Sequence, residues 1–254
     1  MAAVDFPEQT KDGIQEAVEV IKESHHLVAY TGAGISVESG VPPFRGPGGL
    51  WSSYDPKYLE LSYLHQYPDK CWRILKEIFY EHFARAEPND AHRVLARLET
   101  RGLLKSVITQ NIDNLHQLAG SVKVIEFHGN TRDLICVSCG ATTTVNPDML
   151  LSLPPRCSCG GVLKPDCIFF GEEIPQRAWI ESRQETETAD VLLIVGSTGE
   201  VYPAASLPHQ AAGNGALIVE INPEASNFTN TITDVFIPLP AGTALARIEQ
   251  LLNT

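Results

Sequence analysis

Long apolar runs are missing from this 254-residue chain. None approaches the roughly 20 residues that a membrane-spanning helix needs. The first twenty residues are acidic and lack the apolar centre of a secretory signal, so a cytoplasmic protein with no membrane partner is expected. Positive charge is scarce too: 19 Lys and Arg stand against 31 Asp and Glu, for a net charge of −12. That balance excludes a nonspecific grip on nucleic acid and is compatible with a basic, lysine-bearing substrate. Cysteine is rare outside one stretch, with four of the six between residues 136 and 159. Such clustering in a chain without a secretory signal points to a metal and not to disulfides, and leaves Cys71 and Cys167 as ordinary reduced thiols. Internal repeats and low-complexity tracts are also absent.

What is present is a recurring pattern. Five apolar runs, at 26–30, 103–108, 122–127, 191–195 and 217–221, each break into small or polar residues. Continuous runs of that length suit strands buried on both faces, hence a parallel α/β sheet. Ligands bind such sheets at the carboxyl ends of their strands. Helical spacing marks residues 8–23 (Ile14, Ala17, Val18, Ile21) and 69–86 (Trp72, Leu75, Ile78, Phe79, Phe83). Another helix starts at Pro88-Asn89-Asp90 and stops at Gly102, and a last one covers 243–252. Residues 41–55 are irregular, and 133–175 are short Cys- and Pro-rich segments typical of a metal-stabilised insertion. The pattern predicts a larger α/β domain (1–36, 89–130 and 176–254) and a smaller one formed by insertions (37–88 and 131–175).

Four motifs carry chemistry. Gly32-Ala33-Gly34-Ile35-Ser36-Val37 follows a strand, where glycines let backbone N–H groups approach a pyrophosphate. Its third fingerprint position is Val37, and no acidic residue caps a second strand, so an ordinary strand-to-helix turn remains open. Cys136-Val137-Ser138-Cys139 and Cys157-Ser158-Cys159 offer four thiolates for one tetrahedral zinc, although the second pair is one residue short of the usual spacing. A closed shell of four thiolates would be structural and not catalytic; free thiols are the alternative. His128 lies between a strand end and Gly129, beside the loop Gln110-Asn111-Ile112-Asp113, where an imidazole suits general base work. No Ser or Cys nucleophile accompanies it, so a hydrolase triad is unsupported. Residues 164–172 form an extended apolar stretch that either pairs with a peptide backbone or is a buried strand linking the two domains.

Taken together these residues resemble the sirtuin family of NAD-dependent protein deacylases. The likeness runs from about Leu27 to the end of the chain. It includes Gly32-Ala33-Gly34-Ile35-Ser36, Glu38-Ser39-Gly40-Val41-Pro42-Pro43-Phe44-Arg45-Gly46, Gly49-Leu50-Trp51, Gln110-Asn111-Ile112-Asp113 and His128-Gly129. It continues through the four cysteines and Phe169-Phe170-Gly171-Glu172 to Val201-Tyr202-Pro203-Ala204-Ala205.

The resemblance implies a Rossmann-like sheet with a smaller helical and zinc-binding domain, and NAD consumed as a co-substrate. Gly32, Ala33, Gly34, Ser36 and Arg45 would hold the phosphates and adjacent ribose, with Phe44 covering the site. Asn111, Ile112 and Asp113 would form the nicotinamide pocket, and Gln110 with Asn111 would order the ribose and a water. Gly196, Ser197, Thr198, Asn222, Pro223, Glu224 and Ala241 would contact the adenosine end. His128 and Asn111 are the implied catalytic residues, His128 as base on a ribose hydroxyl once the acyl oxygen has displaced nicotinamide. The implied products are free lysine, nicotinamide and O-acyl-ADP-ribose. An acyl-lysine peptide would lie between Ile168, Phe169, Phe170, Gly171 and the loop at Val201 and Tyr202. Cys136, Cys139, Cys157 and Cys159 would bind structural zinc.

Two departures matter. Gly196-Ser197-Thr198 replaces the usual Gly-Thr-Ser but keeps both hydroxyls. Members that remove succinyl or malonyl groups carry a Tyr and an Arg where this chain has Leu75 and Ile78. An apolar pocket leaves an acidic acyl group without a partner, so acetyl and other uncharged groups are the expected substrates. A protein ADP-ribosyltransferase using the same pocket, and a non-catalytic NAD-responsive module, are the competing functions. A dehydrogenase is disfavoured by the incomplete fingerprint.

Overall fold

The computed structural model describes residues 8–43 and 48–254. The chain begins with α1 (Glu8–Glu23), β1 (Leu27–Thr31), α2 (Leu61–Gln66), α3 (Pro68–Leu75) and α4 (Asp90–Thr100). It continues through β2 (Leu104–Thr109), α5 (Leu115–Ala119), β3 (Val124–Glu126), β4 (Gly129–Cys136), β5 (Thr142–Thr144) and β6 (Leu163–Cys167). α6 (Gln176–Thr188), β7 (Val191–Val195), α7 (Ser206–Gly213), β8 (Leu217–Ile221), β9 (Val235–Ile237) and α8 (Ala241–Leu252) complete it.

Six strands pair in parallel in the order β3-β2-β1-β7-β8-β9. Alternate side chains of a strand face opposite sides, and β1 serves two cores in this way. Leu27 and Ala29 pack with Ile14, Val18 and Ile21 of α1, Val94, Leu95 and Leu98 of α4, and Leu245 and Ile248 of α8. Val28 and Tyr30 pack on the other face with Leu207 and Ala211 of α7 and with Phe228. Each large aliphatic side chain buried this way contributes about 1.5–3 kcal/mol. Asn89 starts α4 by accepting from the Ala91 and His92 amides at 2.9 and 3.4 Å. Gly102, at φ +75°, turns the chain out of it, as the sequence predicts.

A third core joins Trp72, Leu75, Ile78, Phe79 and Phe83 to Leu134 and Leu163 of the antiparallel sheet β5-β4-β6 and to Phe169 just after β6. Ile112 and Leu115, from the loop after β2, enter the same core. The single helix expected over 69–86 is three pieces: α3, a π-helical stretch Lys76–His82 and a 3-10 turn Phe83–Arg85. A π-helical stretch shifts the phase of the apolar stripe, and Trp72, Leu75, Ile78, Phe79 and Phe83 all end up buried. Apolar spacing alone does not reveal that shift. β9 also escaped the sequence reading, since three residues are too few for a period to show. The glycine loop opens a 3-10 helix, Ala33–Ser39, and not an α-helix. No helix among the described residues is long and apolar enough to cross a membrane.

Candidate active site

The loops after β1 and β7 meet backbone to backbone because their strands are neighbours. Gly32 N–H donates to Val195 O at 3.0 Å and Gly34 N–H to Gly196 O at 2.9 Å. A Cβ on Gly34 would lie 2.6 Å from Gly196 Cα, and one on Gly196 (φ +65°) 2.3 Å from Ile35 N. The glycines of this motif therefore serve loop-to-loop contact, a need that a phosphate fingerprint does not express.

The loop after β2 carries Gln110, Asn111, Ile112 and Asp113 into the same corner. Asn111 is anchored twice: its amide donates to Thr109 Oγ1 at 3.1 Å, and its Nδ2 to Gly32 O at 3.1 Å. The same Nδ2 lies 3.2 Å from Ser36 Oγ, which in turn donates to Asp113 Oδ2 at 2.7 Å. Asp113 Oδ1 accepts from the Leu115 amide at 3.0 Å. Burial raises the Asp113 carboxyl pKa above the usual range, while the Leu115 amide and the Ser36 hydroxyl oppose the rise. Gln110 Nε2 donates to Ser197 Oγ at 2.9 Å and so ties this loop to the one after β7.

His128 follows β3 and is half-buried. Its Nδ1 lies 3.0 Å from Gln110 O. A carbonyl only accepts, so Nδ1 bears the proton and Nε2 keeps its lone pair. Desolvation lowers the His128 pKa, keeping the ring neutral to lower pH than an exposed histidine. Gly129 has φ +71°, and a Cβ there would sit 2.1 Å from Asp166 O. That close approach brings β6 beside the histidine, where Ile168 N–H donates to His128 O at 2.9 Å.

Three residues given no place in the site by the sequence reading complete the corner. Asn89 Nδ2 donates to Ile35 O at 2.7 Å and Ser39 Oγ at 3.0 Å, fastening α4 to the glycine loop. His92 is fully buried, its pKa pushed down to about 4 by desolvation, with Nε2 3.5 Å from Ser36 Oγ. Glu38 Oε2 accepts from Gly242 N at 2.7 Å, which draws the start of α8, and with it Ala241, to the glycine loop. Only the residue types of Asn89 and Glu38 were visible as signals; their partners lie 54 and 204 positions away.

Phe44 and Arg45 lie outside the described residues. Asn222 Nδ2 donates to Ser197 O at 3.1 Å, so the two loops of the expected adenosine end are joined, with Ser197 buried and Thr198, Pro223 and Glu224 exposed. Of the expected peptide segment, Phe170 N donates to Leu59 O at 2.7 Å and Phe170 O accepts from Leu61 N at 3.2 Å. That edge of Phe170 is thus already paired within the chain. Phe170 and Tyr202 are 48 % and 69 % exposed, the two large apolar side chains the expected peptide groove offers to solvent. Among the described residues, the 168–171 and 201–202 segments share no hydrogen bond with each other.

Cys136, Cys139, Cys157 and Cys159 place their sulfurs within 4.8 Å of one another. Cys136 to Cys159 is 3.6 Å and Cys139 to Cys157 is 3.8 Å. Four sulfurs at about 2.3 Å from a tetrahedral zinc stand roughly 3.8 Å apart, so the set fits that ion. The short C-x-C spacing is accommodated by Gly160 (φ +87°) and by Gly161, whose added Cβ would meet Cys136 Sγ at 2.6 Å.

Residues 32–203 match the sequence profile described as the Sir2 family. The chain is 45 % identical over 237 residues to NAD-dependent protein deacylase 2 of Pyrobaculum aerophilum, covering 91 % of this chain and 93 % of that one. It is 39 % identical over 247 residues to an NAD-dependent protein deacetylase of Thermodesulfovibrio yellowstonii, covering 95 % and 96 %. A solved structure of Sir2 with p53 peptide and NAD+ superposes with TM-score 0.86 at 37 % identity, covering 94 % and 98 %. A Sir2 variant with deacetylated p53 peptide and 3′-O-acetyl ADP ribose gives 0.88 at 36 %, with the same coverage. The family profile matches well over half of the chain and these relatives cover more than nine-tenths of it, so the chain belongs to the Sir2 family, the sirtuins.

Proposed function

We propose that this sirtuin, an NAD-dependent protein deacylase, works at the corner where the loops after β1, β2 and β3 converge, with His128 as its base. The observation that carries this reading is the bond from His128 Nδ1 to Gln110 O, which leaves Nε2 unprotonated at the end of the loop that also carries Asn111 and Asp113 into the corner. NAD, when bound, supplies the ADP-ribosyl group that accepts the acyl group as nicotinamide leaves. Asn111, Ile112 and Asp113 hold the nicotinamide end; Ser36 and the Gly32–Ala33–Gly34 loop, with Arg45, hold the phosphates. Gly196, Ser197, Thr198, Asn222, Pro223, Glu224 and Ala241 hold the adenosine. His128 Nε2 takes a proton from a ribose hydroxyl, and its low pKa keeps that lone pair available at neutral pH. Gln110 is fixed by Ser197 and, through its carbonyl, fixes the base.

The acyl-lysine peptide lies between Ile168–Gly171 and Val201–Tyr202, in the groove between a larger domain built on the six-stranded sheet and a smaller one built on 37–88 and 131–175. Leu75 and Ile78 are 0 % and 2 % exposed in an apolar core, so no cation is presented to an acidic acyl group there. Acetyl and other uncharged acyl groups are therefore the substrates. Zinc on the four thiolates braces the smaller domain, and the cytoplasm keeps those thiols reduced.

The test is mass spectrometry of acetyl-lysine and succinyl-lysine peptides incubated with the protein, with and without NAD, alongside His128→Ala. The expected result is NAD-dependent loss of acetyl with matching O-acetyl-ADP-ribose, reduced about 10²–10⁴-fold in the variant. ADP-ribose retained on protein while the peptide stays acetylated would overturn the deacylase reading in favour of transfer. Succinyl turnover equal to acetyl turnover would overturn the assignment of the acyl pocket.

A further inference from the structure

Glu220 stands on β8, two residues before the Asn222–Glu224 loop, and is completely buried. Its partners are three hydroxyls. Ser226 Oγ donates to Oε1 at 2.5 Å; Thr229 and Thr233 Oγ1 donate to Oε2 at 2.9 and 2.7 Å. Among the described residues it has no ion-pair partner. Burying a carboxylate without a cation is costly unless hydrogen bonds compensate it, and all three come from one segment, residues 226–233. That segment also turns on the same hydroxyls: Phe228 N donates to Ser226 Oγ at 3.0 Å and Ser226 N to Thr229 Oγ1 at 2.8 Å. Only an acceptor with several lone pairs serves three donors at once. The segment is folded around this carboxylate.

Its outer turn reaches the neighbouring loop. Asn227 N donates to Thr198 O at 3.0 Å and Asn227 Nδ2 to Gly199 O at 3.3 Å. Asn222 takes Ser197 O. Three consecutive carbonyls after β7 are thus held, Thr198 O and Gly199 O by the segment that Glu220 organises and Ser197 O by Asn222. Phe228 seals the join: it is fully buried, and a Cβ on Gly199 (φ +72°) would lie 2.9 Å from its ring.

We propose that Glu220 is a positioning residue for the adenosine half of NAD. It touches neither cofactor nor substrate; it sets the 226–233 segment so that Asn227 holds the 197–199 loop in its binding shape. This rests on the assignment of those loops to adenosine, and it adds a device that sits beneath the binding surface.

The experiment is calorimetric titration with ADP-ribose, paired with steady-state kinetics, for the wild-type protein, Glu220→Ala, Glu220→Gln and Asn227→Ala. Asn227 is exposed, so its truncation keeps the proposal testable if Glu220→Ala does not fold. The ADP-ribose Kd and the KM for NAD are expected to rise about tenfold in Glu220→Ala and in Asn227→Ala, the loss of one or two hydrogen bonds. The kcat at saturating NAD and the KM for peptide stay at the wild-type level. Glu220→Gln, which keeps one carbonyl acceptor, falls between. A folded Glu220→Ala or Asn227→Ala protein with unchanged ADP-ribose Kd overturns the proposal alone, as does a kcat loss without a change in Kd. A wild-type protein that binds no ADP-ribose overturns the cofactor assignment and the proposal with it.

Discussion

β7 and β5 show two ways of holding a strand in one chain. All five residues of β7 are buried, between α6 and α7 on one face and the α1, α4 and α8 core on the other. All three threonines of β5 are exposed. The parallel sheet has enough apolar area on both faces to be held by burial alone, and the loops at its strand ends carry Gln110, Asn111 and Ser197. The antiparallel sheet has a core on one face only, and beyond β4 and β6 it thins to a surface module whose four cysteines approach one another. A zinc ion on those four thiolates would replace there the apolar contacts that a short, half-exposed sheet cannot make. The candidate polar site and the four cysteines are thus separated: the first sits on the well-packed sheet, the second on the poorly packed one.

The largest effect that would sharpen this contrast comes from the metal. Cys157→Ser, or a strong chelator, is expected to remove one zinc per chain and cost several kcal/mol, since structural zinc contributes folding energy outright. Hydrogen exchange should then show loss of protection in β4–β6 while β1 and β7 keep theirs. Equal loss in both sheets would break the comparison.

The converse probe is Leu95→Ala, on α4 against the parallel sheet and fully buried. It is expected to cost about 2–5 kcal/mol in urea unfolding while zinc content stays unchanged. Zinc loss in that variant would mean that the two regions depend on one another.

Acid provides the smallest and most graded test. Burial lowers the pKa values of His92 (to about 4), His116 and His128 from the ordinary 6.5. Between those limits the unfolded chain binds protons that the fold refuses, so stability is present at neutral pH and declines on acidification from 6.5 toward 4. His92→Gln should flatten the melting temperature across that window. A wild-type melting temperature independent of pH there would show that these rings are not held neutral.

Much of this was readable in the chain. Runs at 191–195 and 217–221 coincide with β7 and β8: β7, buried on both faces, leaves an uninterrupted apolar record, and β8 leaves one broken only by Glu220. α1 matches its predicted span, since a helix with one wet face keeps a regular stripe. The π-helical stretch after Leu75 was not readable, because the register shift depends on what Trp72 and Phe79 pack against. The cysteine set was legible by spacing, and its C-x-C half required Gly160 and Gly161 to be seen in place.

By itself the sequence determined α1, the runs that became β7 and β8, the parallel sheet, the family and the residue types of the candidate site, all of which follow from local periodicity and short motifs. Tertiary structure alone decided which groups hold which. His128 acquires its tautomer from the Gln110 carbonyl 18 positions away, Glu38 meets α8 across 204 positions, and Glu220 gathers its three hydroxyls from a segment 6 to 13 residues on. Hydrogen bonds are satisfied by whatever polar group the packed core brings within about 3 Å, and that distance has no counterpart along the chain.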